Sequence, residues 1–199
     1  MPAVAPTRIA DNFDGGALDR DVWQQALVGS GASVGQANGR LEIELRPEAT
    51  GAPPEFAGQV LLECTLPGDF DVRVDYELLD WPAENGVTVH LAAVWERTAV
   101  DIARQSHSGG ENYGTWFTRG TGTARPTTHM RGTIRILRED WYASTYYLTG
   151  RGWKRLGSFF TGGAPKILLK ASSTEAWFAD KLVRVAFDNF TLAAERPAC

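Results

Sequence analysis

DFDVRVDYEL, residues 69–78, sets Asp71, Arg73, Asp75 and Glu77 on one side of an extended chain and Val72, Val74 and Tyr76 on the other. Strict alternation is the period of a strand with one buried face, and no helix can sort these residues that way. The same period recurs outward along the chain, in RLEIEL (40–45), GVTVHLAAVW (86–95), GTIRIL (132–137), ASTYYL (143–148), KILLKAS (166–172) and LVRVAFDNFTL (182–192). Between these runs stand LPGD, WPAENG, SHSGGENYG, TRGTGTARP, TGRG and TGGAP, whose Gly, Pro, Asn and Asp residues supply turns. The spacing predicts an all-β fold, a two-sheet antiparallel β-sandwich. LDRDVWQQAL (18–27) and STEAWFADK (173–181) are too short to cover a sheet face and are read as loops or single turns.

With 199 residues, 43% hydrophobic content and seven tryptophans, the chain can bury a substantial core as a single domain, with an ordered part over about 8–193. The net charge of −4 and the scattered Lys and Arg speak against nucleic acid as a partner, which needs a basic stripe. No run approaches the roughly 18 apolar residues of a membrane span, so a soluble protein without a membrane partner is expected. MPAVAPTRIA lacks the features of a secretory leader, and the compartment stays open: extracellular if a leader has been removed, otherwise cytoplasmic. Oligomeric state is not legible. Cys64 and Cys199 can pair only if the C-terminal tail folds back beside the strand QVLLECTL; the simpler reading is a buried core thiol and a loose terminal one. No spacing of cysteines and histidines suits zinc.

Five segments taken together resemble the concanavalin A-like lectin and glucanase superfamily, which includes laminin-G-like modules and bacterial-type domains. They are DNFDGGALDRDVW, SVGQANGRLEIEL, GDFDVRVDYELLDW, GTIRILREDWYASTYYLTGRGWKRLGS and VRVAFDNFTL, in order and across nearly the whole chain. The resemblance implies a jelly roll whose first and last strands are neighbours, so that the repeated Asp-Asn-Phe at 11–13 and 188–190 would bring Phe13 and Phe190 into one core with Phe187 nearby. It also implies a structural Ca2+ ion, with Asp188 as the charged ligand and oxygens from Asn38 or Gly39 and from the region of Asp11. The alternative is that Asp188 and Asn189 make strand-end hydrogen bonds with no metal.

Glucanases of this superfamily carry Glu-x-Asp-x-x-Glu on one strand of the concave face, and that motif is missing. A retaining glycosidase needs two carboxylates about 5–5.5 Å apart. Glu42 and Glu44 in EIE fit a solvated edge, and the adjacent Glu139 and Asp140 lie on opposite faces if the strand continues, or in a hairpin turn if it does not. No Ser-His-Asp triad is evident around His107 with Ser106 and Ser108, and no G-x-S-x-G elbow occurs. Arg104, Gln105, His107 and Tyr113 loosely echo the Arg, His, Gln and Tyr of sandwich-shaped polysaccharide lyases. Sugar sites pair exposed aromatic rings with polar groups in the ring plane. On that ground Tyr113, Trp116, Arg104, His90 and Glu96 form the candidate ligand-binding set on a shallow concave sheet. Trp95 continues the Val87–Val89–Leu91–Ala93 row into the core, and Trp23, Trp141, Trp153 and Trp177 are read as packing or rim residues.

The main expectation is therefore a carbohydrate-binding or carbohydrate-related module for an oligo- or polysaccharide, without an evident catalytic motif. The alternatives are a polysaccharide-degrading enzyme, glycoside hydrolase or lyase, using the concave face, and a structural or interaction domain.

Overall fold

The computed structural model describes residues 6–46, 56–107, 109–117, 122–173 and 181–199. The reading of STEAWFADK, with Trp177, and the candidate Ser108 fall wholly or mainly outside the described residues. Fifteen strands and no helix make up the described chain: β1 (Thr7–Asp11), β2 (Trp23–Val28), β3 (Ala32–Ala37), β4 (Arg40–Leu45), β5 (Phe56–Leu62), β6 (Phe70–Asp80), β7 (Thr88–Val94), β8 (Ala99–His107), β9 (Gly110–Phe117), β10 (Thr123–Pro126), β11 (Arg131–Glu139), β12 (Tyr142–Thr149), β13 (Gly152–Phe160), β14 (Lys166–Ser173) and β15 (Val183–Ala194). They form two antiparallel sheets. Sheet A runs β13-β12-β11-β6-β15-β4-β3, with β1 also paired to β15; sheet B runs β10-β9-β8-β7-β14-β5-β2. This is the jelly-roll sandwich of the concanavalin A-like fold.

The alternating rows read from the sequence face each other across the interior. Val72, Val74 and Tyr76 of β6 and Ile134 and Ile136 of β11 meet Val89 and Leu91 of β7, Ile102 of β8 and Ile167 and Leu169 of β14, all buried. Gly58 on β5 permits a close approach of the layers, because a Cβ there would lie 2.6 Å from Ile43 Cγ2 and 2.8 Å from Val34 Cγ2.

The two Asp-Asn-Phe stretches are neighbours. β15 pairs with β4 over Val183–Phe187, shifts register between Asp188 and Thr191, and carries β1 on its second half, with Asp11 opposite Phe190 and Thr7 opposite Ala194. Phe13 has a φ of 53°, and its N–H donates to Asp11 Oδ1 at 2.8 Å; this tight local turn swings its ring inward. Trp23 Nε1 donates to the other oxygen of the same carboxylate, Oδ2, at 2.8 Å. The Trp23 ring then packs between Phe13, at 5.7 Å, and Phe190, at 4.9 Å edge to face. Phe13, Phe187 and Phe190 are fully buried. One polar side chain, Asp11, thus orients two core rings.

Two expectations are corrected here. Part of LDRDVWQQAL is a strand: Trp23–Val28 pairs with β5 at the edge of sheet B. Only Trp23 of β2 is buried, so the stretch lacks the alternation that marks other strands. The cysteines are also paired, as a Cys64–Cys199 disulfide. The tail folds back as that pairing requires, with Thr65 and Ala198 exchanging backbone hydrogen bonds of 3.0 and 2.9 Å.

Candidate functional site

The outer face of sheet B carries a cleft of about 320 Å3. Period-two alternation presents Thr88 and His90 from β7, Asp101, Gln105 and His107 from β8, Trp116 from β9, and Lys170 and Ser172 from β14. Register makes this a constellation. Asp101 lies opposite Trp116, and His90 lies opposite Lys170. Asp101 Oδ1 accepts the backbone N–H of Trp116 at 2.9 Å, and Oδ2 accepts from His90 Nδ1 at 3.2 Å. His90 Nε2 faces Ser172 Oγ at 3.5 Å. The His90 and Asp101 side chains are 18% and 17% exposed, shielded enough to favour their mutual contact yet open to a ligand. Farther along the cleft, His107 Nε2 meets Thr88 Oγ1 at 3.4 Å and Gln105 donates to Asn112 at 2.5 Å.

Trp116 is seated on a glycine floor. A Cβ on Gly114 would run into the Trp116 benzo ring, and one on Gly122 would come within 2.5 Å of its pyrrole edge. The indole therefore lies across backbone that only glycine leaves open, next to the Asp101 carboxylate that the Trp116 backbone N–H holds.

The five residues expected to share a surface do not. His90 and Trp116 line the cleft. Glu96 is exposed in the turn between β7 and β8 and lies outside it. Arg104 and Tyr113 are each 1% exposed and point between the sheets. The reason is parity: Arg104 is adjacent to Gln105, and Tyr113 is an odd number of residues from Trp116, so each pair must split across the sheet. The lyase-like echo splits in the same way, leaving Gln105 and His107 on the outer face.

Inside, Arg104 donates to the carbonyls of Gln105 at 2.7 Å and His129 at 3.1 Å, and pairs with Glu111 at 2.5 Å beneath the Trp81 ring. Tyr113 Oη meets Tyr76 Oη at 2.6 Å and His129 Nδ1 at 3.2 Å, with Tyr147 stacked on its ring at 4.4 Å. Burial, reinforced by the facing phenol, pushes the Tyr76 hydroxyl well above the ordinary tyrosine range, and burial raises Tyr113 as well. Both phenols stay neutral and serve as hydrogen-bonding groups that tie sheet A to sheet B.

Of the expected calcium ligands, Asp11 has both carboxylate oxygens accepting hydrogen bonds, from Phe13 N and Trp23 Nε1, so its region would contribute backbone carbonyl oxygen. Asp188 Oδ1 accepts the N–H of Asn189, and the residue lines a small hollow on sheet A with Asp75, Glu77 and the guanidinium-bearing Arg40 and Arg131. Gly39, with φ of 72°, sits after Asn38 in the β3–β4 turn. No group of three His, Cys, Asp or Glu side chains is placed to hold a metal among the described residues. A calcium shell would have to draw on Asp188 and on carbonyl oxygens, and an ion held there would be structural.

No family model matches the chain, and no curated protein matches it by sequence. Solved structures do. One, from work on endo-acting O-glycanases that initiate mucin breakdown in human gut microbiota, has a TM-score of 0.72 at 12% identity, covering 94% of this chain and 99% of that chain. A prokaryotic β-1,3-1,4-glucanase (lichenase) from a mouse hindgut metagenome has a TM-score of 0.69 at 10% identity, covering 96% and 100%. An immunostimulatory antigen and pseudo β-1,3-glucanase of Mycobacterium tuberculosis has a TM-score of 0.71 at 12% identity, covering 94% and 98%. At these identities the likeness shows the fold. The main expectation of a binding module without catalysis is corrected toward its alternative, because the solved structures that share this sandwich end to end include a lichenase and a β-glucanase.

Proposed function

We propose that the protein is a polysaccharide-degrading enzyme whose substrate lies along the outer face of sheet B. The observation that carries this reading is the junction of a His–Asp pair with an outward-facing indole in one cleft, on the fold that glucanases use. Trp116 offers a flat apolar platform for a sugar ring, while Gln105, Asn112 and Thr88 supply donors and acceptors for hydroxyl groups. Asp101 is the only carboxylate lining the cleft among the described residues, so the two-acid arrangement of a retaining glucanase is not built from them. Its two oxygens hold His90 Nδ1 and the Trp116 amide. Proton transfer at the scissile bond therefore falls to His90 Nε2, with Asp101 fixing the orientation of the ring. The Cys64–Cys199 bridge suits work in an oxidising compartment, where polymeric glycans are met.

The test is a panel of β-glucans, xylans and mucin-type glycans assayed for new reducing ends and for the ultraviolet absorbance of unsaturated products. Reducing ends without unsaturated product are expected, and Asp101→Asn should lower their rate by about 100-fold or more while the protein stays folded. Unsaturated product alone would reassign the chemistry to elimination. No cleavage across the panel, or full activity in Asp101→Asn, would defeat the reading.

A further inference from the structure

We infer that Ser172, His90 and Asp101 form a nucleophilic triad, and that the cleft also removes acyl esters from substituted polysaccharides. The inference rests on the placement of a polysaccharide in this cleft, though not on cleavage of its backbone.

The three residues come from three adjacent strands, β14, β7 and β8, and are brought together only by register. Their bonds run in the order a triad requires: Ser172 Oγ to His90 Nε2 at 3.5 Å, then His90 Nδ1 to Asp101 Oδ2 at 3.2 Å. The first distance is long for a neutral hydrogen bond and falls within the looser spacing of nucleophile and base before substrate binds. With Nδ1–H donated to the carboxylate, Nε2 carries the lone pair that faces the serine. Asp101 is in turn locked by the Trp116 amide at 2.9 Å, so the imidazole is oriented from behind. Lys170, two residues before Ser172 on the same strand and opposite His90, brings an ammonium group to the described lining of the cleft. A cation on that face favours the oxyanion of an acyl-transfer intermediate. Trp116 would stack on the sugar that bears the ester.

The chemistry closes on water alone. His90 Nε2 takes the Ser172 proton as Oγ bonds to the acyl carbon. The ester C–O bond then breaks, and the sugar oxygen leaves with the proton from Nε2. Water, deprotonated by His90, attacks the acyl-serine; the Ser172 Oγ–carbon bond breaks, the carboxylic acid departs and the proton returns to Oγ.

The wild-type protein would be treated with a fluorophosphonate probe and mapped by peptide mass spectrometry, and assayed for acetate release from acetylated xylan and for turnover of p-nitrophenyl acetate. One label per chain on Ser172 is expected, with acetate release lowered by about 100-fold or more in Ser172→Ala of unchanged melting temperature. The labelled peptide decides the matter even if that variant fails to fold. Absence of label, label on another residue, or acetate release unaffected in Ser172→Ala would overturn the triad. Acetate release without new reducing ends would uphold the triad and defeat backbone cleavage. New reducing ends with neither acetate release nor label would do the opposite.

Discussion

The two outer faces of the sandwich are built from the same alternation and end in opposite electrostatic states. On sheet A the charges answer one another. Asp71 takes hydrogen bonds from Arg135 at 2.7 and 3.0 Å and from Arg73 at 2.5 and 3.2 Å, and both guanidinium groups lie within 5.7 Å of the Trp153 ring centre. Asp75 accepts from Thr133 and Asn189, and Glu77 pairs with Arg40 at 2.6 Å. On sheet B, among the described residues, one cleft-lining acid holds a histidine whose far nitrogen meets a serine hydroxyl, in a cleft floored by an indole. Cross-strand neighbours of opposite charge close a face. Neighbours that are neutral, aromatic or titratable near neutrality leave it able to receive a ligand and transfer protons to it.

The largest effect should come from the core that both faces share. Trp23→Ala removes the ring between Phe13 and Phe190 and leaves Asp11 without its indole partner, so a loss of about 3–5 kcal/mol is expected in urea unfolding. Cleavage should persist below the lowered melting temperature, because no cleft residue is touched. Asp71→Asn separates the faces more sharply. It should cost about 1–2 kcal/mol of stability, by leaving Arg73 and Arg135 side by side without their anion, and leave polymer cleavage unaltered. Burial alone would push the Asp71 carboxyl up, but the hydrogen bonds and charges of Arg73 and Arg135 outweigh it and hold the group below the ordinary carboxylate range. Its stabilising contribution is thus complete above about pH 4, the unfolded value, and is lost as pH falls through the lower folded value. Unfolding curves of the wild type and Asp71→Asn should converge in acid. The smallest effect is Trp116→Ala, which should raise KM for polymer about tenfold with little change in melting temperature, since the ring lies on the outer face.

Alternation made the strands around DFDVRVDYEL and VRVAFDNFTL legible, along with the face on which His90 stands. It failed at β2, where the buried Trp23 is followed by exposed residues and no period exists to be found. It failed at the site for another reason. Alternation assigns a residue to one of two faces, but which strands lie side by side is set by topology, and the order β8-β7-β14 joins residues 82 positions apart in His90 and Ser172. Asp101 carries no signal within AVDIARQSH because its meaning lies in its cross-strand neighbours. Residue type groups Arg104 and Tyr113 with His90, although parity places them apart from Gln105 and Trp116. The pairing of Phe13 with Phe190 was implied by resemblance, and the Asp11 bridge that enforces it appears only in three dimensions.

The substrate surface can be located directly by titrating the 15N-labelled protein with a β-1,3-1,4-glucan oligosaccharide and following its amide resonances. The largest shifts are expected at the Trp116 amide, held on Asp101, and along β7, β8 and β14. Shifts confined to β6, β11 and Trp153 on the opposite sheet would contradict this placement.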